Sequence, residues 1–358
     1  MKKLHKMLII VVILSMFSIK ISASGYAEDA INDFKNLLTD EQSELISDPD
    51  KLTDAISMRV IVSEILSIAE GERGAVLSFL LLCFGCAALI ALTEACPSLS
   101  PPCQVGVGLV SSVLIFTKLG ALFSLVGDSL SEVCNFFSAA LPVMTGITLS
   151  GGGVAQAGVQ AAGMNITVSL LSGAGTTVLL NTASIGLALA LLSAFDDGAV
   201  SSLSKSLGGF FKWSTGVATA SIAAVMSLQS VVASAADSVS MRAAKLAASG
   251  MIPVVGGAVS GALSTLASGL SYAKAVVGAG AIWVMLSIAL SPLVVMLLYR
   301  LALAVAASFS DLLGASGASR ILGAYRIALD SLIAVYSLCT VVCIFEVILF
   351  MKGGVALL

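Results

Sequence analysis

From Gly74 to its last residue the chain is a succession of apolar runs, interrupted only by isolated charges. An α-helix of ~20 apolar residues crosses the hydrocarbon core of a bilayer. A water-soluble fold cannot bury so many such runs and still cover itself with polar groups. The composition agrees: 58% of the 358 residues are hydrophobic and 11% are charged, against roughly 25% charged in soluble domains. These numbers predict an all-α, polytopic integral membrane protein built as a helical bundle.

Charge is segregated along the chain. Twelve of the 21 acidic residues lie between Glu28 and Glu72, with few basic ones among them. Lys2, Lys3 and Lys6 precede an apolar run from Met7 to Ile19, which small residues follow at Ser22, Ala23, Ser24, Gly25 and Ala27. That order is expected of a secretory signal over 1–27. Residues 28–73 then read as an acidic helical extracytoplasmic segment, and 74–358 as the multi-span membrane domain. In the segment, Ile31, Phe34, Leu37 and Leu38 have helical spacing. Thr39 with Gln42 has the form of a capping box. Asp48-Pro49-Asp50 breaks the pattern. Too small to bury a core, the segment is expected to lean on the bilayer surface or on a partner.

The first span is read at Ala75 to Thr93, followed by a turn at Pro97, Pro101 and Pro102. A second span is read at Val105 to Val126. Further membrane elements are expected near 136–150, 154–172, 175–195, 213–235, 276–309 and 330–351. Six to nine elements result, some of them re-entrant.

A weak internal repeat runs through this body. Asp128-Ser129-Leu130-Ser131 recurs as Asp237-Ser238-Val239-Ser240, and Pro142-Val143-Met144-Thr145-Gly146 as Pro253-Val254-Val255-Gly256-Gly257. Asp196 and Lys205-Ser206-Leu207-Gly208-Gly209-Phe210 recur as Asp311 and Arg320-Ile321-Leu322-Gly323-Ala324-Tyr325. The pattern implies a tandem duplication over about 104–212 and 213–329, with a final helix at 330–351. Each unit would contain a span, an amphipathic connector opening on Asp, a Pro-Val turn, a hairpin, another span and a basic connector.

Catalytic patterns are not found. The single histidine, His5, falls in the signal, so neither a serine nor a cysteine nucleophile has a histidine base in the mature chain. No metal ligand cluster and no phosphate-binding loop is present in the sequence, and no cofactor is implied. Cys83-Phe84-Gly85-Cys86 has no partner pair and reads as packing on an apolar helix. The seven cysteines, mostly in apolar runs, read as free thiols. No basic patch with interleaved aromatics points to nucleic acid, and no small-molecule substrate is identified.

Polar residues inside apolar runs are the remaining candidates, because a charge at the bilayer centre costs roughly 2.5–3.5 kcal/mol on insertion scales. Lys118, Gln156, Gln160, Asn165, Asn181 and Glu346 belong to this class. They can form a polar pathway or a partner contact, or simply hydrogen-bond between helices, with lysine snorkelling to an interface. Gly257 and Gly261 form a GxxxG pattern that lets helix backbones approach closely.

The stretch Ala236-Asp237-Ser238-Val239-Ser240-Met241-Arg242-Ala243-Ala244-Lys245, followed by Ile252-Pro253-Val254-Val255-Gly256-Gly257, resembles the characteristic segment of the stage III sporulation protein AE family. Asp237, Ser238, Arg242, Lys245, Pro253, Gly256, Gly257 and Gly261 are thereby candidates for assembly. The resemblance implies a non-enzymatic role in endospore formation, in the mother-cell membrane around the forespore. It also implies membership of a channel or secretion-like complex with the other stage III A proteins, among them a separate ATPase and ring-forming subunits. The residues alone leave a stand-alone secondary transporter and a membrane scaffold open beside it.

Overall fold

A computed structural model describes residues 29–47, 58–96, 101–151, 154–173, 180–192 and 256–352, with isolated helical positions between 206 and 227. These residues are helical, with no strand among them. After a short helical stretch at 29–35 come α1 (Asp40–Ser47), α2 (Met58–Ala95), α3 (Pro101–Ser150), α4 (Val154–Leu170), α5 (Leu180–Leu192), α6 (Gly256–Leu312) and α7 (Ser316–Lys352). Four helices, α2, α3, α6 and α7, are long and apolar enough to cross a membrane.

Two antiparallel hairpins, α2/α3 and α6/α7, make up most of the body. Gln104 donates to the Thr93 carbonyl across the first. Across the second, Arg300 pairs with Asp330. The hairpins lie side by side with α2 beside α6, where Phe79 meets Tyr299 and Phe84 meets Phe309 at ring separations of 4.8 and 4.5 Å. The core between them is made of Phe79, Ile115, Leu119, Phe137, Tyr325 and Tyr336, among others, all nearly sealed. Outward faces are apolar as well, with Leu81 and Leu92 on α2, Val110 on α3, Leu301 on α6 and Val341 on α7 all exposed. A helix apolar on every side belongs in lipid, where an outward leucine carries no hydration penalty.

Several sequence expectations change here. The separate spans at 105–126 and 136–150 are one 50-residue helix, α3. Asp128-Ser129-Leu130-Ser131 is therefore mid-helix and not a connector, and Pro142 lies inside the helix and does not make a turn. Within a packed membrane body, neighbours satisfy the carbonyl that proline frees, so the helix can run on. Pro101 and Pro102 open α3 and are not part of a turn; the first helical position has no intrahelical use for the missing N–H. Arg320 to Tyr325 lie in α7, which starts at Ser316 and so extends well before the expected 330. The first copy's connector and turn thus have no counterpart in the structure, while the 237–253 motifs and Asp196 to Phe210 fall almost wholly outside the described residues. The boundary expected at Gly74 falls within continuous α2.

The N-terminal segment also behaves differently. Thr39 and Gln42 do form the reciprocal box, with the Thr39 N–H donating to Gln42 Oε1 at 3.2 Å and the Gln42 N–H to Thr39 Oγ1 at 3.5 Å. Phe34, however, is fully buried and edge-on to Phe136 of α3, their centroids 6.2 Å apart. The segment rests on the body's own helices.

The α6/α7 turn shows how one end of the body is tied. Gly314 has a φ of 70°, in the left-handed region that glycine enters without penalty. The Gly314 N–H donates to the Asp311 carbonyl and the Ala315 N–H to that of Ser310, a Schellman arrangement that closes α6. Ala315 then stands where α7 needs an N-cap, and alanine has no side-chain acceptor. Glu94 of α2 supplies it: its carboxylate accepts from the Ser316 N–H at 3.1 Å and the Gly317 N–H at 2.9 Å. A Cβ on Gly317 would lie 2.6 Å from Glu94 Oε1, so glycine permits the approach. Loss of an N-cap acceptor costs about 0.5–2 kcal/mol. Glu94→Ala is therefore expected to lower the unfolding midpoint in lipid nanodiscs, and Glu94→Gln, which keeps one acceptor, to lower it less.

Candidate functional site in the helical body

The polar residues inside the body fall into two groups. In the first, hydroxyls bind α3 to α7. Tyr325 donates to the Ser112 carbonyl at 2.8 Å, leaving the Ser112 hydroxyl, 2.8 Å from the phenol oxygen, as donor in that pair. One level further on, Ser129 donates to the Ile288 carbonyl at 3.3 Å and lies 2.6 Å from the Tyr336 hydroxyl. With the serine proton used on Ile288, the tyrosine is the donor. Both tyrosines are fully buried, and a buried hydroxyl is kept only where its partners are fixed.

The second group lies at the other end of the bundle, away from Gly314, between α3, α4 and α7. Gln156, Gln160 and Thr167 follow one another at four and seven residues and are all buried, so one stripe of α4 faces inward. Thr148 of α3 lies 3.1 Å from Gln160 Oε1 and donates to it. Thr167 donates to Glu346 Oε1 of α7 at 2.7 Å. Glu346 is 1% exposed. Lys274 of α6 is 3% exposed, with its ammonium 5.9 Å from the centre of the Phe350 ring, one turn beyond Glu346. Two ionisable groups of opposite sign are thus enclosed in the same part of the body.

Of the polar residues singled out in the sequence, Gln156, Gln160 and Glu346 are brought into this site. Lys118 and Asn181 point outward. Asn165 is exposed too, its amide returned to the Ala161 carbonyl of its own helix. Gly256, Gly257 and Gly261 open α6. Asp237, Ser238, Arg242, Lys245 and Pro253 lie outside the described residues. Sequence reasoning missed Lys274, Thr167 and the Arg300–Asp330 pair. An ionisable residue in each of two neighbouring apolar runs, of opposite sign, was the signal available for the last.

All seven cysteines are free thiols. Cys83 and Cys86 are buried in α2, and the Cys86 thiol points at the Ser111 carbonyl 4.0 Å away. Among the described residues no group of three or more His, Cys, Asp or Glu side chains could hold a metal ion. Hydrogen bonding, burial of charge and helix docking are the chemistry this arrangement provides.

No curated protein and no solved structure matches the chain. A protein-family model described as stage III sporulation protein AE matches residues 34–354, nearly the whole chain. The match takes in α1 to α7 and both polar groups, and with it the chain belongs to the stage III sporulation protein AE family.

Proposed function

We propose that this chain is a membrane subunit of a channel or secretion-like complex that joins mother cell and forespore during endospore formation. The observation that carries the reading is the family match over 34–354 on a body with four span-length helices. Its site of action on this reading is the mother-cell membrane around the forespore. There it would be surrounded by lipid and by other stage III A proteins, including a separate ATPase and ring-forming extracytoplasmic subunits. A helical body with an apolar exterior and hydrogen-bonded interior suits an anchored, multi-subunit assembly. The segment from Asp237 to Gly261 is assigned to contacts within that assembly.

Deletion of the gene is expected to leave forespores that collapse or fail to mature, seen by imaging sporulating cells. The intact chain, affinity-tagged, is expected to co-purify with other stage III A proteins. Normal spores after deletion, or a chain that purifies alone from sporulating cells, would sink the reading. The enclosed Glu346 and Lys274 favour a second reading, a stand-alone secondary transporter, because buried ionisable groups mark transport pathways in many membrane proteins. Solute uptake by the purified chain in vesicles would select it.

A further inference from the structure

Glu346 and Lys274 are costly to hide, and their surroundings say what they are equipped to do. An ionised carboxyl enclosed in an apolar helix bundle must pair with a cation or take up a proton. Thr167 Oγ1 reaches Glu346 Oε1 at 2.7 Å. Lys274 approaches the same face of α7, over Phe350, which lies one turn from Glu346. The described residues of α4 and α5 carry no ionisable side chain. On α7, the buried Cys343 lies one turn before Glu346. Tyr272 of α6 is exposed. Among the described residues, Lys274 and Cys343 are thus ionisable groups enclosed within about one turn of the carboxyl along α7.

A polar stripe leads away from it. Gln160 lies two turns from Thr167 towards the α3–α4 end, about 10 Å along the axis. It is buried, and its amide nitrogen has no hydrogen-bond partner among the described residues. One turn before Thr148 on α3, the Thr145 hydroxyl is likewise enclosed and has no partner among the described residues. Donors left without acceptors in a bundle interior cost free energy unless something else passes or sits there. Beyond Gln160 lie Gln156 and the end of α3 at Ser150, where the helix stops.

We propose that Glu346 is a proton-binding site within the membrane body, held by Thr167, with Lys274 enclosed over the adjacent turn of α7, and served by the Gln156–Gln160 stripe from the α3–α4 end. The Lys274 ammonium, enclosed over Phe350 one turn of α7 from Glu346, disfavours a metal cation at the carboxyl and leaves a proton as the ion it can take up. Binding is a transfer of one proton to the carboxylate, with no bond broken in the chain.

The test uses the full chain in lipid nanodiscs and dicyclohexylcarbodiimide, a probe that enters apolar regions. A protonated carboxyl adds across its C=N bond, carboxyl oxygen to carbon and proton to nitrogen, and rearranges to a stable N-acylurea. Only the protonated acid reacts, so labelling measured by peptide mass spectrometry over a pH series reports occupancy. Glu346 is expected to be labelled in acid and to lose labelling about tenfold per pH unit above its midpoint. Thr167→Val, which removes a donor to the carboxylate, is expected to move the midpoint up, and Thr167→Ser to restore it. Lys274→Gln is expected to move it further in the same direction. Glu64, exposed on the charged first part of α2 before its apolar run, serves as the control carboxyl. Absence of label on Glu346 throughout, labelling indifferent to pH, protection by sodium at fixed pH, or a midpoint unmoved by Thr167→Val would each overturn the proposal. The wild-type titration does not depend on whether any variant folds.

Discussion

Tyr336→Ala is expected to lower the stability of the bundle by about 3–5 kcal/mol, the range for emptying a buried aromatic site. The ring is fully enclosed, and its hydroxyl is one link in a chain across three helices, from Tyr336 on α7 to Ser129 on α3 to the Ile288 carbonyl on α6. The milder variants separate the ring from the link. Tyr336→Phe leaves the Ser129 proton on Ile288 and removes only one hydrogen bond, for a cost of about 0.5–1.5 kcal/mol. Ser129→Ala takes away the acceptor that the buried phenol uses, which costs about 1–3 kcal/mol because a donor is left without a partner. Adding Tyr336→Phe to Ser129→Ala is therefore expected to recover stability. Thermal unfolding of the wild type and the four variants in one lipid nanodisc composition makes the comparison. A double variant less stable than Ser129→Ala would mean that the proton runs otherwise.

The second large effect is steric. A Cβ added at Gly278 of α6 would overlap the side chain of Met351 on α7. Helix backbones come closest where a residue has no side chain, and membrane helices associate by packing at such points. Gly278→Ala is expected to cost about 1–3 kcal/mol, the usual penalty for overfilling a packed site. Met351 is unbranched and can partly yield, so Gly278→Val should cost more than Gly278→Ala. Met351→Ala combined with Gly278→Ala should recover part of the loss, and the double-mutant cycle gives the coupling directly. Purely additive losses would show that the two residues do not meet. Lys274 lies one turn before Gly278 on α6, so forcing the hairpin apart should also change carbodiimide labelling of Glu346.

Some of this is legible in the amino-acid sequence. Membrane class follows from the apolar runs, because their length and composition leave no alternative solvent. The Thr39–Gln42 box can be read because capping is local, requiring residues three apart. Helix ends in the body cannot be read in the same way. Asp128 and Pro142 read as the start of a connector and as a turn by the rules of isolated helices, yet α3 runs through both. Contacts from α6 and α7 hold that stretch, and those contacts come from far along the chain, with Ser129 to Ile288 separated by 159 residues and Ser129 to Tyr336 by 207. Gln156 and Glu346 are recognisable as polar residues in apolar runs, but Thr167 is not: threonine in a helix is unremarkable until it faces a carboxyl. Lys118 has the same sequence signal as Glu346 and points outward. Which polar residue turns inward is a property of the packing, and one helix does not contain that information.

The junction of Glu94 with the start of α7 has a consequence for the order of assembly. A chain made from its N-terminus delivers α2 to the membrane long before α7, which follows it by 222 residues at this contact. Until then, the Glu94 carboxylate lacks the Ser316 and Gly317 amide donors. α7 also brings Tyr325, Tyr336 and Glu346 to partners already waiting on α3 and α4. In the order of synthesis, α7 is thus the last of the described helices to reach these partners. Chains interrupted before Ser316 would present an open, adhesive flank to quality-control proteases, and a separately synthesised α7 segment would be the piece able to seal it.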